Sequence, residues 1–173
     1  DREDLERLRL ELNRLQTVAS VSSAGKVVQV VNTQTGAVAT GSTLMPMDDT
    51  IPQNTEGDQY LSLSITPTAD ANKLLIQVML HLSYSVSTFI TASLFKDAGA
   101  NALAAIGHFL SDAGGQFVLN FSHYVTEGGT AAISFKVRVG GHLAGTTTLN
   151  GDLGTRRLGG IIPSGITITE IAA

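Results

Sequence analysis

Lys73–Ser83 reads KLLIQVMLHLS. At the period of two that an extended chain imposes, Leu74, Ile76, Val78, Leu80 and Leu82 fall on one face, and Leu75, Gln77, Met79 and His81 on the other. Neither face is polar throughout, which is the pattern of a central strand covered on two sides. Runs of the same period lie before and after it. Gln59–Thr66 sets Leu61, Leu63 and Ile65 against Tyr60, Ser62 and Ser64, and Ala131–Val139 sets Ile133, Phe135, Val137 and Val139 against Ser134, Lys136 and Arg138. Lys26–Thr33, Thr88–Lys96, Gln116–Thr126 and Gly165–Ile171 read as further strands, with shorter ones at Thr43–Met47, Leu103–Phe109 and Thr146–Leu149. Leu103–His108 also suits one helical turn. Turn residues separate the runs at Thr35-Gly36, Gly114-Gly115, Gly140-Gly141 and Asn150-Gly151. Short strands joined this way predict one all-β sandwich or barrel over residues 26–173.

Residues 1–19, DREDLERLRLELNRLQTVA, follow a different rule. Leu5, Leu8, Leu12 and Leu15 are spaced three, four and three, the a/d seam of a heptad repeat, and Ala19 continues it. With Leu5 at a, Asp4 falls at g and Arg9 at the following e, placed to bridge neighbouring parallel helices. Asp1, Glu3 and Asp4 put negative charge where the helix dipole favours it. The predicted coiled-coil stalk is about 28 Å long. Leu10 lies off the seam and suits the alternative, an amphipathic helix packed on its own domain. Residues 20–25, mostly Ser, Ala and Gly, read as a connector. Parallel helices feeding a β head imply rotational symmetry about the stalk. Leucine at both a and d leaves the number of chains open; closed symmetry with so few charged residues points to three rather than two.

Only 15% of the residues are charged, against about 25% in ordinary soluble domains. A surface so poor in charge is expected where copies of the chain cover part of one another. The net charge of −4 comes with no basic patch, which argues against nucleic acid as a partner, since phosphate neutralisation dominates that affinity. The absence of cysteine excludes disulfides, zinc-thiolate sites and thiol catalysis. Apolar runs fall far short of the roughly 18 residues of a membrane span, so no membrane insertion is expected. The charged helical start does not read as a signal peptide.

No nucleophile elbow, phosphate loop or dinucleotide fingerprint occurs, so the chain is expected to be neither an enzyme nor a cofactor binder. Asp48, Asp49, Glu56 and Asp58 form the densest acidic stretch. Three readings compete: a Ca²⁺ loop, because hard cations want several oxygen ligands; a glycosidase pair, which needs two carboxylates about 5–10 Å apart; or a solvated loop whose acids hold turns. Pro46, Pro52 and Gly57 favour the loop. Arg156 and Arg157 suit an acid on another subunit, an anionic glycan, or a plain solvated turn. His81, His108, His123 and His142 lack metal-ligand spacing within one chain, but one histidine near a three-fold axis becomes three.

Four stretches resemble a domain that recurs in phage and prophage tail-fibre and structural proteins. They are VVQVVNTQTGAVATGSTLMPMDDTIPQNTEGDQYLSLSITPTADANKLLIQV (27–78), ISFKVRVGG (133–141), GTTTLNG (145–151) and RRLGGIIPSGITITEI (156–171). The likeness covers nearly all of residues 26–171, and DDTIPQNTEGDQYLSLSITPT is its most specific part. It implies a jelly-roll-like antiparallel β-sandwich, assembled as a homotrimer at the end of a virion tail fibre or spike. Upstream fibre or another virion protein would carry it; the resemblance does not say what the head binds, and a host-surface glycan or outer-membrane component is expected by analogy alone. Loops at Ser83–Thr88, Asp97–Ala102, Ser111–Gln116 and Thr126–Thr130 are the expected contact points, because binding tends to sit on loops held by a rigid scaffold. The alternatives are a trimerisation knob with no ligand and a polysaccharide hydrolase with carboxylates between subunits.

Overall fold

The structure is a computed structural model that describes residues 1–21, 24–126 and 128–173. Ser22 and Ser23 of the predicted connector and Glu127 of the last predicted loop lie outside the described residues. Helix α1 (Arg2–Val21) precedes twelve strands among those residues: β1 (Val27–Thr35), β2 (Ala39–Gly41), β3 (Asp58–Ile65), β4 (Lys73–Tyr84), β5 (Thr88–Lys96), β6 (Ala104–Leu110), β7 (Gln116–Thr126), β8 (Ile133–Gly141), β9 (Thr147–Leu149), β10 (Gly151–Asp152), β11 (Thr155–Arg156) and β12 (Ser164–Ile171).

Four ladders are nested in the chain: β5 with β6, β4 with β7, β3 with β8, and β1 with β12. All are antiparallel, so the chain forms one long ribbon with the β5–β6 connection at its tip. Rolling the ribbon sets β12 beside β4 and β8 beside β5. The result is two four-stranded sheets, β1-β12-β4-β7 and β3-β8-β5-β6, which is the strand order of a jelly roll. The short strands β9 and β2 extend the first sheet beyond the end of β12, and β10 and β11 form a separate hairpin.

Strand β4 is central, as its sequence demands. One edge pairs with β7 along its length, from Lys73↔Thr126 to Ser83↔Gln116. The other edge is shared end to end by β12, opposite Lys73–Met79, and β9, opposite Leu82–Tyr84. Its inward residues Leu74, Ile76, Leu80 and Leu82 are buried against Ile90 and Leu94 of β5 and Phe135 and Val137 of β8 in one continuous core. Each such side chain stabilises the fold by roughly 1.5–3 kcal/mol. The outer face departs from expectation. Among the described residues no element covers it: Leu75, Met79 and His81 are only half-buried, and Gln77 is exposed.

Between β12 and β9 the ladder on β4 is interrupted at His81, and two buried residues, Ser164 by its side chain and Asn150 by its backbone, repair it. Ser164 Oγ accepts from the His81 amide at 2.9 Å, and the Asn150 amide donates to the His81 carbonyl at 2.9 Å. Ser164 Oγ then donates to Asn150 Oδ1 at 2.6 Å, and Asn150 Nδ2 donates to the carbonyls of Thr35 and Ala37. Asn150 takes a φ of 56°, a left-handed conformation that asparagine tolerates better than most residues.

Thr43–Met47 is not the expected strand. It belongs to a loop, residues 42–57, that crosses the outer face of the second sheet. Its backbone groups go elsewhere: Met45 N donates to Gly141 O, and Gly57 N donates to Leu44 O. Met45 is fully buried there, its sulfur accepting from Ser93 Oγ at 3.2 Å. Arg138 fastens the end of the loop, donating to the carbonyls of Glu56 and Gly57 at 2.8 and 2.6 Å. Residues 104–110 are strand, so the helical alternative there falls.

Glu170 is buried on the inward face of β12 and holds three segments together. Its carboxylate accepts from Gln29 Nε2 on β1, from the amide and hydroxyl of Thr68, and from Asn72 Nδ2, at 2.6–2.8 Å. Burial pushes the carboxyl up, but these four hydrogen bonds outweigh it and hold it at about 2. A carboxylate depressed in the fold contributes fully above its unfolded value, and that contribution is lost as pH falls toward its folded one. Glu170→Gln is expected to lower the unfolding free energy at pH 7 by about 2–3 kcal/mol. The gap from the parent should narrow from about pH 4.5 down to about 2, read in urea titrations across that range.

Candidate interaction surfaces

Every side chain from Asp1 to Thr17 is exposed. Leu5, Leu8, Leu12 and Leu15 are 65%, 63%, 55% and 63% accessible, so the packed-arm alternative does not describe this helix. Leu10, off the seam, is exposed as well. Ala19 of the predicted seam is helical.

The acidic stretch serves its own loop. Asp48 Oδ1 accepts from the amide and hydroxyl of Thr50 at 2.8 and 2.5 Å, and these bonds, the hydroxyl's first, hold its carboxyl below the ordinary value. Glu56 Oε2 accepts from the Gln53 amide. Asp58 takes both the amide and the hydroxyl of Thr43, each at 2.8 Å. Asp49 borders a shallow cleft with Ile51 and Leu103. Among the described residues no group of three His, Asp or Glu is gathered as a metal would need. Arg157 pairs with Asp152 of its own β10–β11 hairpin at 2.8 Å, and Arg156 lies alongside Gly160. The histidines are dispersed: His108 stacks on Phe117 with ring centroids 4.7 Å apart, and His142 Nδ1 accepts from the Met47 amide.

The surface that sequence reasoning missed is the bare outer face of the first sheet. Register fixes its rows. Val30, Thr169, Leu75 and Tyr124 lie abreast, then Asn32, Thr167, Gln77 and Ser122, then Gln34, Gly165, Met79 and Asn120. The last two rows line a groove of about 490 Å³. A side chain at position 165 would collide with the Thr33 carbonyl at 2.8 Å, and glycine there keeps the floor low. Asn32 Nδ2 donates to Thr167 Oγ1 and the Ile166 carbonyl. Gln34, Gln77, Asn120 and Ser122 make no side-chain hydrogen bond among the described residues. The phase of each strand was legible, but which strands lie side by side was not, so the rows could not be assembled in advance.

No family model and no curated protein matches the chain. Solved structures do. The VP2 subviral particle of infectious bursal disease virus is similar with a TM-score of 0.43 and 12% identity, over 85% of this chain and 34% of that one. The CBM36-1 domain of a multidomain xylanase from the hindgut metagenome of Trinervitermes trinervoides gives 0.41 and 8%, over 81% and 96%. The EclA C-terminal domain, a sugar-binding protein, gives 0.36 and 13%, over 66% and 75%. This chain spans well under half of the VP2 chain. Similarity at this level assigns no function.

The acidic loop generates a contrast. Asp58→Ala leaves two donors of Thr43 unpaired and should cost about 1–3 kcal/mol, with faster hydrogen exchange at Thr43 and Met45. Asp49→Ala should stay within about 0.5 kcal/mol in the same urea titration.

Proposed function

We propose that the chain is a non-enzymatic structural and attachment module of a virion, the head of a trimeric tail fibre or spike carried on a coiled coil of α1 helices. The observation that carries this reading is the leucine seam, which none of the described residues covers. A solitary 20-residue helix in water is marginal at best, because nucleation is costly and only packing of an apolar face repays it. Burying each seam leucine against other copies would contribute roughly 1.5–3 kcal/mol. The low charge of the head and the resemblance of residues 26–171 to tail-fibre domains point the same way.

Light scattering on the purified chain at neutral pH is expected to give the mass of three chains, and a monomer would overturn the reading. Leu8→Ser with Leu12→Ser should abolish the helical contribution to circular dichroism. If the mass then falls to one chain, the stalk holds the assembly; if it stays at three, the heads do.

A further inference from the structure

We propose that the groove across β1, β12, β4 and β7 binds a neutral saccharide, an assignment of ligand class that rests on the attachment reading above. The two outer faces of the sandwich are treated differently by the chain. The loop of residues 42–57 crosses that of the second sheet, with its Met45 buried, whereas none of the described residues covers that of the first. The uncovered face is where a partner of the head can reach the sheet itself.

The chemistry of the groove narrows the partner. Its polar lining is Asn32, Gln34, Gln77, Asn120, Ser122 and Thr167, from all four strands, and none of these is charged. A ligand that carries a net charge would find no counter-charge there, and would pay its desolvation without repayment. Side-chain amides present a donor and an acceptor side by side, which matches the paired hydroxyls of a sugar ring. Gln34, Gln77 and Asn120 have both of these groups free for a ligand, since neither is engaged by the described residues.

The adjacent row supplies the other half of sugar chemistry. Tyr124, 59% exposed, and the half-buried Leu75 stand beside Ser122 and Gln77, one row away or about 7 Å along the strands. A pyranose has hydroxyl edges and a C–H face. Met79 and this apolar shoulder suit the face, while the amides suit the edges. The volume of about 490 Å³ falls within the usual range for small-ligand sites. These residues stand on paired strands rather than on the loops favoured by the sequence, so the ladder sets the spacing of their backbone positions before any ligand arrives.

The test is saturation-transfer NMR on the full chain with a panel of neutral sugars (glucose, galactose, N-acetylglucosamine and their disaccharides), with sialic acid and glucuronate for comparison. Signal transfer from at least one neutral sugar is expected, and the two acids should give none. Gln77→Ala and Asn120→Ala should each weaken binding about tenfold, the worth of one or two lost hydrogen bonds. Both side chains are exposed, so the fold should survive, which circular dichroism checks. Gln116→Ala, on the same strand but outside the groove, should change nothing. Transfer from no neutral sugar, transfer from the acids alone, or binding untouched by the two groove variants would overturn the proposal. Light scattering on the same samples separates the two ideas. A trimer that ignores neutral sugars sinks the groove and spares the fibre head; a monomer that binds them does the reverse.

Discussion

Strand β4 must satisfy its backbone along both edges while its inner face fills the core, and the head is arranged around that requirement. An interior strand that left a carbonyl or amide unpaired would lose the value of a hydrogen bond at each position. Pairing with β7 meets the demand on one side. On the other, no single strand runs the full length, and β12 and β9 divide the edge between them. The gap at His81 accounts for the burial of Ser164 and Asn150 at that point of the sheet. The Ser164 hydroxyl and the Asn150 backbone amide stand in for the missing strand, and the Asn150 side chain, through Thr35 and Ala37, also fixes where β1 leaves the sheet.

The jelly roll that results has two unlike faces. Over the second sheet the chain lays down its own cover, anchored by Met45, Arg138 and the carboxylates of Asp58 and Glu56. The densest acidic stretch of the sequence thus holds a loop in place. Over the first sheet the described residues lay down no cover, and uncharged amides and hydroxyls face outward in rows. The helix leaves a second uncovered surface, wholly different in character, with aliphatic side chains repeating at heptad spacing. An apolar stripe suits self-association, whereas a neutral polar groove suits a hydrated ligand.

Much of this was legible in the residues. Alternation in Gln59–Thr66, Lys73–Ser83 and Ala131–Val139 gave the inward side chains in their correct phase, and Leu61, Ile76 and Phe135 are core as that phase requires. The heptad spacing identified the helix and its exposed seam. What escaped were features that depend on distant partners. Thr43–Met47 has strand-like composition, but its hydrogen bonds go to Gly57 and Gly141, so it is a covering loop. Glu170 shares its phase with Ile166 and Ile168, a sign that a charge was headed inward, yet only the approach of Gln29, Thr68 and Asn72 makes that position tenable. The outer groove was hidden for the same reason, because Asn32, Gln77 and Asn120 become neighbours only once the ribbon is rolled.

The two ends of the head lie together. Gly25 N donates to Ala172 O and Ala172 N to Lys26 O, both at 2.8 Å, at the margin of the β1·β12 ladder. A pull transmitted through α1 would enter the head at the beginning of β1, where that strand is paired with the end of β12. The bonds between β1 and β12, from Gln29↔Glu170 to Thr35↔Ser164, then bear the load in parallel rather than one after another. The Glu170 cluster stands at the loaded end and couples that ladder to the segment before β4, so tension is handed to the middle of the sheet. Pulled along β1, the head would be loaded in shear, the geometry in which a sheet resists being torn from its tether.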